Sequence, residues 1–245
     1  NAFGLKTEKL YEILDLIAYY FPECEGINMD ATVTSILHKS QEELEMLARK
    51  KVKHLYLGIE SGLDDVLKFM KKDHDLAQAY QAIDRLHEAR LIYDAHIMTG
   101  VAGKGRGMEN AEALAQFLNR TNPAHVVNFS MFLHKEVPLY QDIRQGTFVP
   151  ADELETIREE YHLIERIAPE KAGANILYDG FHDFIHVRVR GHLPGDKEKM
   201  LAKLNGIIQE YEGKEPVYSF GQGECPDLEY CDDGKAVWDM DRKTS

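Results

Sequence analysis

Two rhythms of apolar and polar positions divide most of this 245-residue chain. The first is the short, nearly continuous apolar run, clearest at Leu55, Tyr56, Leu57 and Ile59, which predicts a strand buried on both faces as in a parallel sheet. Similar segments lie at Gly26–Val33, Leu91–Met98 and Ala124–Met131. Between them apolar residues recur at helical spacing. Leu10, Ile13, Leu14 and Ile17 predict a helix over Lys6–Tyr20, with Thr7 as its cap. Ser40 with Glu43 forms a capping box before Leu44, Leu47 and Ala48. Further helices are predicted over Leu63–Met70, Leu76–Ala89 and Met108–Leu118. A last one, capped by Asp152, runs to Ile167 before Pro169 stops it. Strand and helix thus alternate from Gly26 to Ile167, which predicts an α/β fold with a parallel sheet and right-handed crossovers.

Polar residues interrupt this pattern where chemistry would sit. The central run ends in Gly58, Glu60, Ser61 and Gly62, and ligands of α/β folds sit at the carboxyl ends of strands. A carboxylate there needs a partner, and the hydroxyls of a bound ribose would be one. Gly62 frees the backbone for a turn, and Asp64 and Asp65 open the next helix, where acids favour the amino end. In the first strand Asn28, Asp30 and Thr32 share a face, either towards a lumen or towards the outer layer. Both a substrate role and satisfied core or edge positions stay open for them. Thr99–Gly107 is glycine-rich and invites a phosphate reading, yet its spacing matches neither the P-loop nor the dinucleotide fingerprint, and a plain loop is the alternative. Phe132–Phe148 is a long irregular stretch, and Arg144 within it reads as a solvated surface arginine, with reach to an anionic substrate as the alternative.

Beyond Gly173 the character changes. Phe181–Arg190 alternates as one strand with a wet face carrying His182, His186, Arg188 and Arg190. A helix over Lys197–Tyr211 follows, then a tail rich in Gly, Pro and acids. His182 and His186 lack further ligands at a familiar spacing, so no metal site is expected. The net charge of −13 argues against a nonspecific grip on nucleic acid and favours a small-molecule substrate. No apolar run approaches membrane-spanning length. Three cysteines, Cys24, Cys225 and Cys231, form no paired framework, and they read as free thiols of a cytoplasmic protein.

Gly58-Ile-Glu-Ser-Gly62, followed by Asp65-Val-Leu67, Met70, Lys72 and His74, resembles the fourth-strand motif of radical S-adenosylmethionine enzymes. The resemblance is to the branch of oxygen-independent coproporphyrinogen oxidases and methylthiotransferases, and it runs from about Ala2 to Ile167. It implies a partial, TIM-like (β/α) barrel that holds S-adenosylmethionine. By resemblance, Glu60 and Ser61 hold the ribose and the methionine end, within a turn that includes Gly58 and Gly62. Ile97 and Gly100 resemble the fifth-strand segment lying against the adenine, and Val127, Asn128 and Phe129 the sixth. Asn28, Asp30 and His96 become substrate candidates in the lumen. The family also holds a [4Fe–4S] cluster by a CxxxCxxC motif after the first strand. This sequence has no such motif. The expectation is therefore a truncated barrel over 1–170, its first βα unit missing, with a C-terminal extension over 171–245. Its cluster ligands would lie outside the chain, the fragment alone would be inactive, and its exposed sheet edge would favour self-association. The alternative is a cluster-less (β/α) module that binds or scaffolds without catalysis.

Overall fold

A computed structural model describes residues 2–220. A 3-10 turn at Ala2–Gly4 leads into α1 (Thr7–Tyr20), and the chain then alternates: β1 (Ile27–Ala31), α2 (Val33–Leu37), α3 (Gln41–Arg49), β2 (Val52–Glu60), α4 (Asp64–Phe69), α5 (Leu76–Glu88), β3 (Ile92–Thr99), α6 (Gly107–Thr121) and β4 (His125–Ser130). There follow α7 (Leu139–Arg144), α8 (Glu153–Arg166), β5 (Ile176–His182), β6 (Val187–Leu193) and α9 (Lys197–Tyr211). Among the described residues the strands form one six-stranded sheet in the order β1-β2-β3-β4-β5-β6. The first five run parallel, and β6 returns antiparallel to β5. The α/β class and the parallel sheet predicted from the sequence are observed, and the sheet is open rather than closed into a barrel.

Local signals account for the helix starts. Ser40 and Glu43 make the reciprocal capping box, Asp75 and Gln78 make another, and Asp152 accepts from the Glu155 N–H. Thr7 is not a cap. It is the first residue of α1, Lys6 holds the cap position, and the Thr7 hydroxyl accepts instead from buried Lys39. The stretch read as irregular after Phe132 contains the short helix α7.

Alternation gives the sheet two unlike faces. Along β2, Leu55, Leu57 and Ile59 are fully buried, while His54, Tyr56, Gly58 and Glu60 are only partly covered. The buried set joins Tyr93, Ala95, Ile97, Val126, Ile176 and Tyr178 in a core that also contains Ile83, Leu86, Leu114 and Ile157 of the helices. Each fully buried aliphatic side chain contributes about 1.5–3 kcal/mol to folding. The other face is open among the described residues.

The single strand expected over Phe181–Arg190 is two strands joined by a tight corner. A 3-10 turn at Asp183–Ile185 and a left-handed His186 (φ 54°) reverse the chain. The reversal resets the alternation, so His182 is not on a wet face but fully buried beneath the sheet. Arg188 and Arg190 lie on the open face, 52% and 56% exposed.

Gly62 marks the closest approach of helix and sheet. A Cβ there would sit 2.5 Å from the Ala113 carbonyl carbon and the Leu114 nitrogen of α6. Its φ is not in the left-handed region, so the requirement is for space rather than for the turn freedom expected from the sequence. Gly62→Ala is expected to lower stability by about 1–3 kcal/mol, because backbone cannot yield as a side-chain tip can. Thermal unfolding checks this, and an unchanged midpoint would mean that α6 is free to move away.

Candidate functional site

Glu60 ends β2 in an unusual way. The register with β3 shifts between Gly58 and Glu60, and Glu60 takes a left-handed backbone (φ 62°) that a bulky residue adopts only at a cost. Its side chain stays on the open face, with Oε1 3.2 Å from the Lys72 ammonium. Both side chains are 25% exposed. Gly58 leaves the room for this pair, since a Cβ there would meet Glu60 Oε1 at 2.6 Å and the Lys72 nitrogen at 3.1 Å. Lys72 belongs to the motif in the sequence, but its pairing across twelve residues was not legible there. The pair presents an acceptor and a donor at the mouth of the sheet.

The other expected cofactor residues divide by face. Val127 and Phe129 share the open face of β4, half-buried and 40% exposed respectively. Ser61, Ile97, Gly100 and Asn128 do not line that face. Fully buried Ser61 donates to Asn110 Oδ1 of α6 at 2.6 Å, and the Gly62 N–H points at the same oxygen. Ile97 is fully buried in the core between sheet and helices. The Gly100 N–H donates to Glu159 at 2.8 Å, and Asn128 accepts from the Thr99 N–H and donates to Glu160. One residue of strand separates lumen from core, and the sequence did not fix which side each would take.

Of the substrate candidates, His96 lies within a row of rings on the open face. It stacks on Tyr56 at 5.6 Å and meets Phe129 edge-on at 6.1 Å. Asn28 and Asp30 are exposed on β1, with Asn28 donating to the Tyr56 hydroxyl at 3.5 Å. Nearer the amino ends of the strands, Asp94 holds His54 Nδ1 at 2.8 Å and leaves its Oδ1 without a described partner. His125, the register neighbour of Asp94, likewise leaves Nε2 without one, and burial lowers its pKa.

The glycine-rich loop is pinned partly to itself and partly to the segment that leads into α8 and its first turn. Gly103 donates to Gly100, Lys104 to the Val149 carbonyl and Gly105 to Glu155. Arg106 pairs with Asp65 and Glu109. The N–H groups of Gly103, Lys104 and Gly105 are thus engaged, and a cleft of about 390 Å³ lined by Asp65, Phe69, Arg106 and Phe148 opens beside the loop. Among the described residues no group of His, Cys, Asp and Glu could hold a metal ion. Cys24 is a free thiol, and Cys225 and Cys231 lie outside the described residues.

What the sequence did not foretell is a buried polar bracket under the strand ends. His182 reaches Glu153 through Nδ1 and Glu160 through Nε2, each at 3.0 Å. Both ring nitrogens face carboxylates, so both donate and the ring is an imidazolium. Burial works to lower its pKa, but hydrogen bonds to Glu153 and Glu160 prevail and raise it to about 9. Glu160 also accepts from Tyr178 and Asn128, and Glu153 from Ser130 and Ser219. Burial alone would raise Glu153; the bonds and charge of His182 hold it below the ordinary carboxylate range. Alongside, burial pushes Glu159 up to about 8 against the bonds it accepts from Asn110 and Gly100.

These shifts give stability a pH profile. His182, raised from about 6.5 to about 9, contributes fully below pH 6.5, and the contribution fades as pH rises to 9. Glu159, raised to about 8, is increasingly costly to bury as pH climbs from the carboxylate range to 8. Glu153, depressed, acts oppositely, and its contribution is lost only on acidification. The melting midpoint should fall between pH 6.5 and 9, and His182→Gln should flatten that slope while lowering the midpoint throughout. A wild-type midpoint flat across that window would contradict the imidazolium bracket.

Residues 4–118 match the sequence model of the Radical SAM superfamily. No curated protein matches the chain. Among solved structures the fold resembles that of the archaeal Methanocaldococcus infernus Elp3 with an N-terminal deletion (1–46), at a TM-score of 0.56 and 17% identity. The alignment covers 76% of this chain and 42% of that one, so this chain spans less than half the length of that structure.

Proposed function

We propose that this chain is the S-adenosylmethionine-holding part of a radical S-adenosylmethionine enzyme, of the coproporphyrinogen oxidase and methylthiotransferase type, acting on a small molecule. One observation carries the reading: Glu60 is held in a strained left-handed conformation at a strand end, its carboxylate kept on the open face beside Lys72. Strain of this kind costs about 1–3 kcal/mol and persists where surrounding structure imposes it, typically at ligand sites. Glu60 would accept from ribose hydroxyls, and Lys72 would supply a cation for the carboxylate of the methionine end. Val127 and Phe129 would offer apolar surface to the adenine. Ser61, Gly62, Gly100 and Asn128 would act from beneath, by fixing the turns through Asn110, Glu159 and Glu160.

In that family a [4Fe–4S] cluster supplies the electron that splits S-adenosylmethionine and yields a hydrogen-abstracting radical. The residues present do not fit such a cluster. The sequence has three scattered cysteines and no CxxxCxxC. We therefore assign the cluster ligands to residues outside these 245, and to this chain the holding and orienting of cofactor and substrate. A cluster-less binding module is the second reading, favoured by the same missing motif.

Two measurements test the proposal. Equilibrium dialysis of S-adenosylmethionine against the 245-residue protein should detect binding that Glu60→Ala weakens about tenfold, the worth of one charge-assisted hydrogen bond. Equal affinity in the variant would remove Glu60 from the site. The product of the complete reading frame, reconstituted with iron and sulfide under strong reductant, should cleave S-adenosylmethionine, and failure to do so would leave the binding-module reading. In addition, Glu60→Gly should unfold at the same or higher temperature while losing affinity, since glycine relieves the left-handed strain. A marked loss of stability would show that the pair with Lys72 outweighs that strain.

A further inference from the structure

The open face carries a second constellation, three strands from Glu60. Register places Phe129, Phe181 and Arg188 side by side on β4, β5 and β6, with Val127, Asp179 and Arg190 in the adjacent row. The Phe129 and Phe181 rings stack 5.7 Å apart at 16°, and the Arg188 guanidinium lies 4.7 Å over Phe181. With Tyr56 and His96 the rings form an unbroken diagonal across four strands. Phe129 remains 40% exposed. Exposed hydrophobic residues scattered singly need no explanation, but a contiguous row on one face does.

Charge distinguishes this end of the face. The Asp179 carboxylate, 6% exposed, accepts two bonds from Arg188, at 2.8 and 2.6 Å, and lies 3.7 Å from Arg190. Two guanidiniums against one acid leave a net positive charge, on a chain whose formal charge is −13. Arg188 is locked, with its Nε and one terminal nitrogen committed to Asp179. Arg190 makes only the longer contact and keeps hydrogen-bonding capacity on the open face. As stability elements such exposed pairs are worth little, about 0–1 kcal/mol. As a recognition element they suit a ligand that is both flat and anionic, because a ring stacks on aromatic and guanidinium planes while a guanidinium fork grips carboxylate or phosphate.

We propose that Phe181, Arg188 and Arg190 form the substrate end of the open face, with Phe129 as the ring that divides it from the adenine surface, and bind a small molecule with a flat conjugated ring bearing a carboxylate or phosphate. The ring lies against Phe181, Arg190 takes the anionic group, and Asp179 fixes Arg188 at the ring's edge. The assignment rests on the reading of the same face as a cofactor site at Glu60. From β2 to β5 is three inter-strand steps of about 4.8 Å, so the two ends lie roughly 14 Å apart, far enough for two ligands side by side.

Calorimetric titration of the 245-residue protein tests this with two flat anions, quinoline-2-carboxylate and 1-naphthyl phosphate. Quinoline and inorganic phosphate serve as ring-only and charge-only controls. At least one flat anion should bind about tenfold more tightly than either control, and Arg190→Gln or Phe181→Leu should each erase most of that advantage. Preference for the carboxylate or for the phosphate identifies the substrate's anionic group, and either sustains the proposal. Flat anions binding no better than the controls, or equally well in Arg190→Gln, would overturn it. S-adenosylmethionine titrated in parallel separates the two readings. Arg190→Gln should leave its affinity unchanged, and Glu60→Ala should spare the flat anion. Loss of S-adenosylmethionine binding alone would count against the cofactor reading and not against this one.

Discussion

An imidazolium clamped between two buried carboxylates underlies the geometry of the mouth. His182 ends β5, Glu153 and Glu160 belong to α8, and their further partners Ser130 and Asn128 end β4. Burying three charges is expensive, and apolar side chains of similar volume often stabilise a fold as well or better. What such a network supplies is registry: each polar atom is satisfied in one arrangement only, and sliding α8 along the sheet would orphan several at once. The adjoining chain from Glu159 through Asn110 to Ser61 and Gly62 carries the same constraint to the turn after Glu60. The network's members come from four strand ends and two helices, so the mouth is held from below as a unit.

Holding the mouth from below leaves the upper face free for ligands. That face is graded. Near the amino ends of the strands Asp94 orients His54, and one oxygen of Asp94 and one nitrogen of His125 remain unpartnered among the described residues. At the carboxyl ends the Glu60–Lys72 pair stands on β2, and the stacked rings and paired arginines stand on β4 to β6. The acid-and-amine end and the ring-and-guanidinium end ask for different chemistry. A polar sugar with a charged amino-acid tail suits the first, and a flat anion suits the second.

The family match ends at residue 118, within α6. Everything that gives the cationic end its character, from β4 to β6, lies past that limit, as do the carboxylates of α8. The likeness to the archaeal structure covers more of the chain but concerns the fold. Distinguishing features of this protein are thus concentrated in its second half, on the same sheet that the first half begins.

Local rhythm was enough to predict the strands from β1 to β4, the longer helices, the capping box at Ser40 and the cap at Asp152, because these depend on neighbours within four residues. The motif at Gly58–Gly62 was likewise legible, and with it the position of Glu60. Tertiary structure decided the rest. Period two states that Ile97 and His96 face opposite ways, but not which way the helices lie, so Ile97 and Asn128 went beneath the sheet and Phe129 above it. His182 looked exposed because the corner at Asp183–His186 was hidden inside an alternating run. The pairings Glu60 with Lys72 and His182 with Glu153 and Glu160 span twelve to twenty-nine residues. The sequence by itself determined the strands from β1 to β4, the longer helices and where a carboxylate would end a strand. Packing alone chose the face of each side chain and the partner of each buried charge, since both follow from elements brought together only when the chain folds.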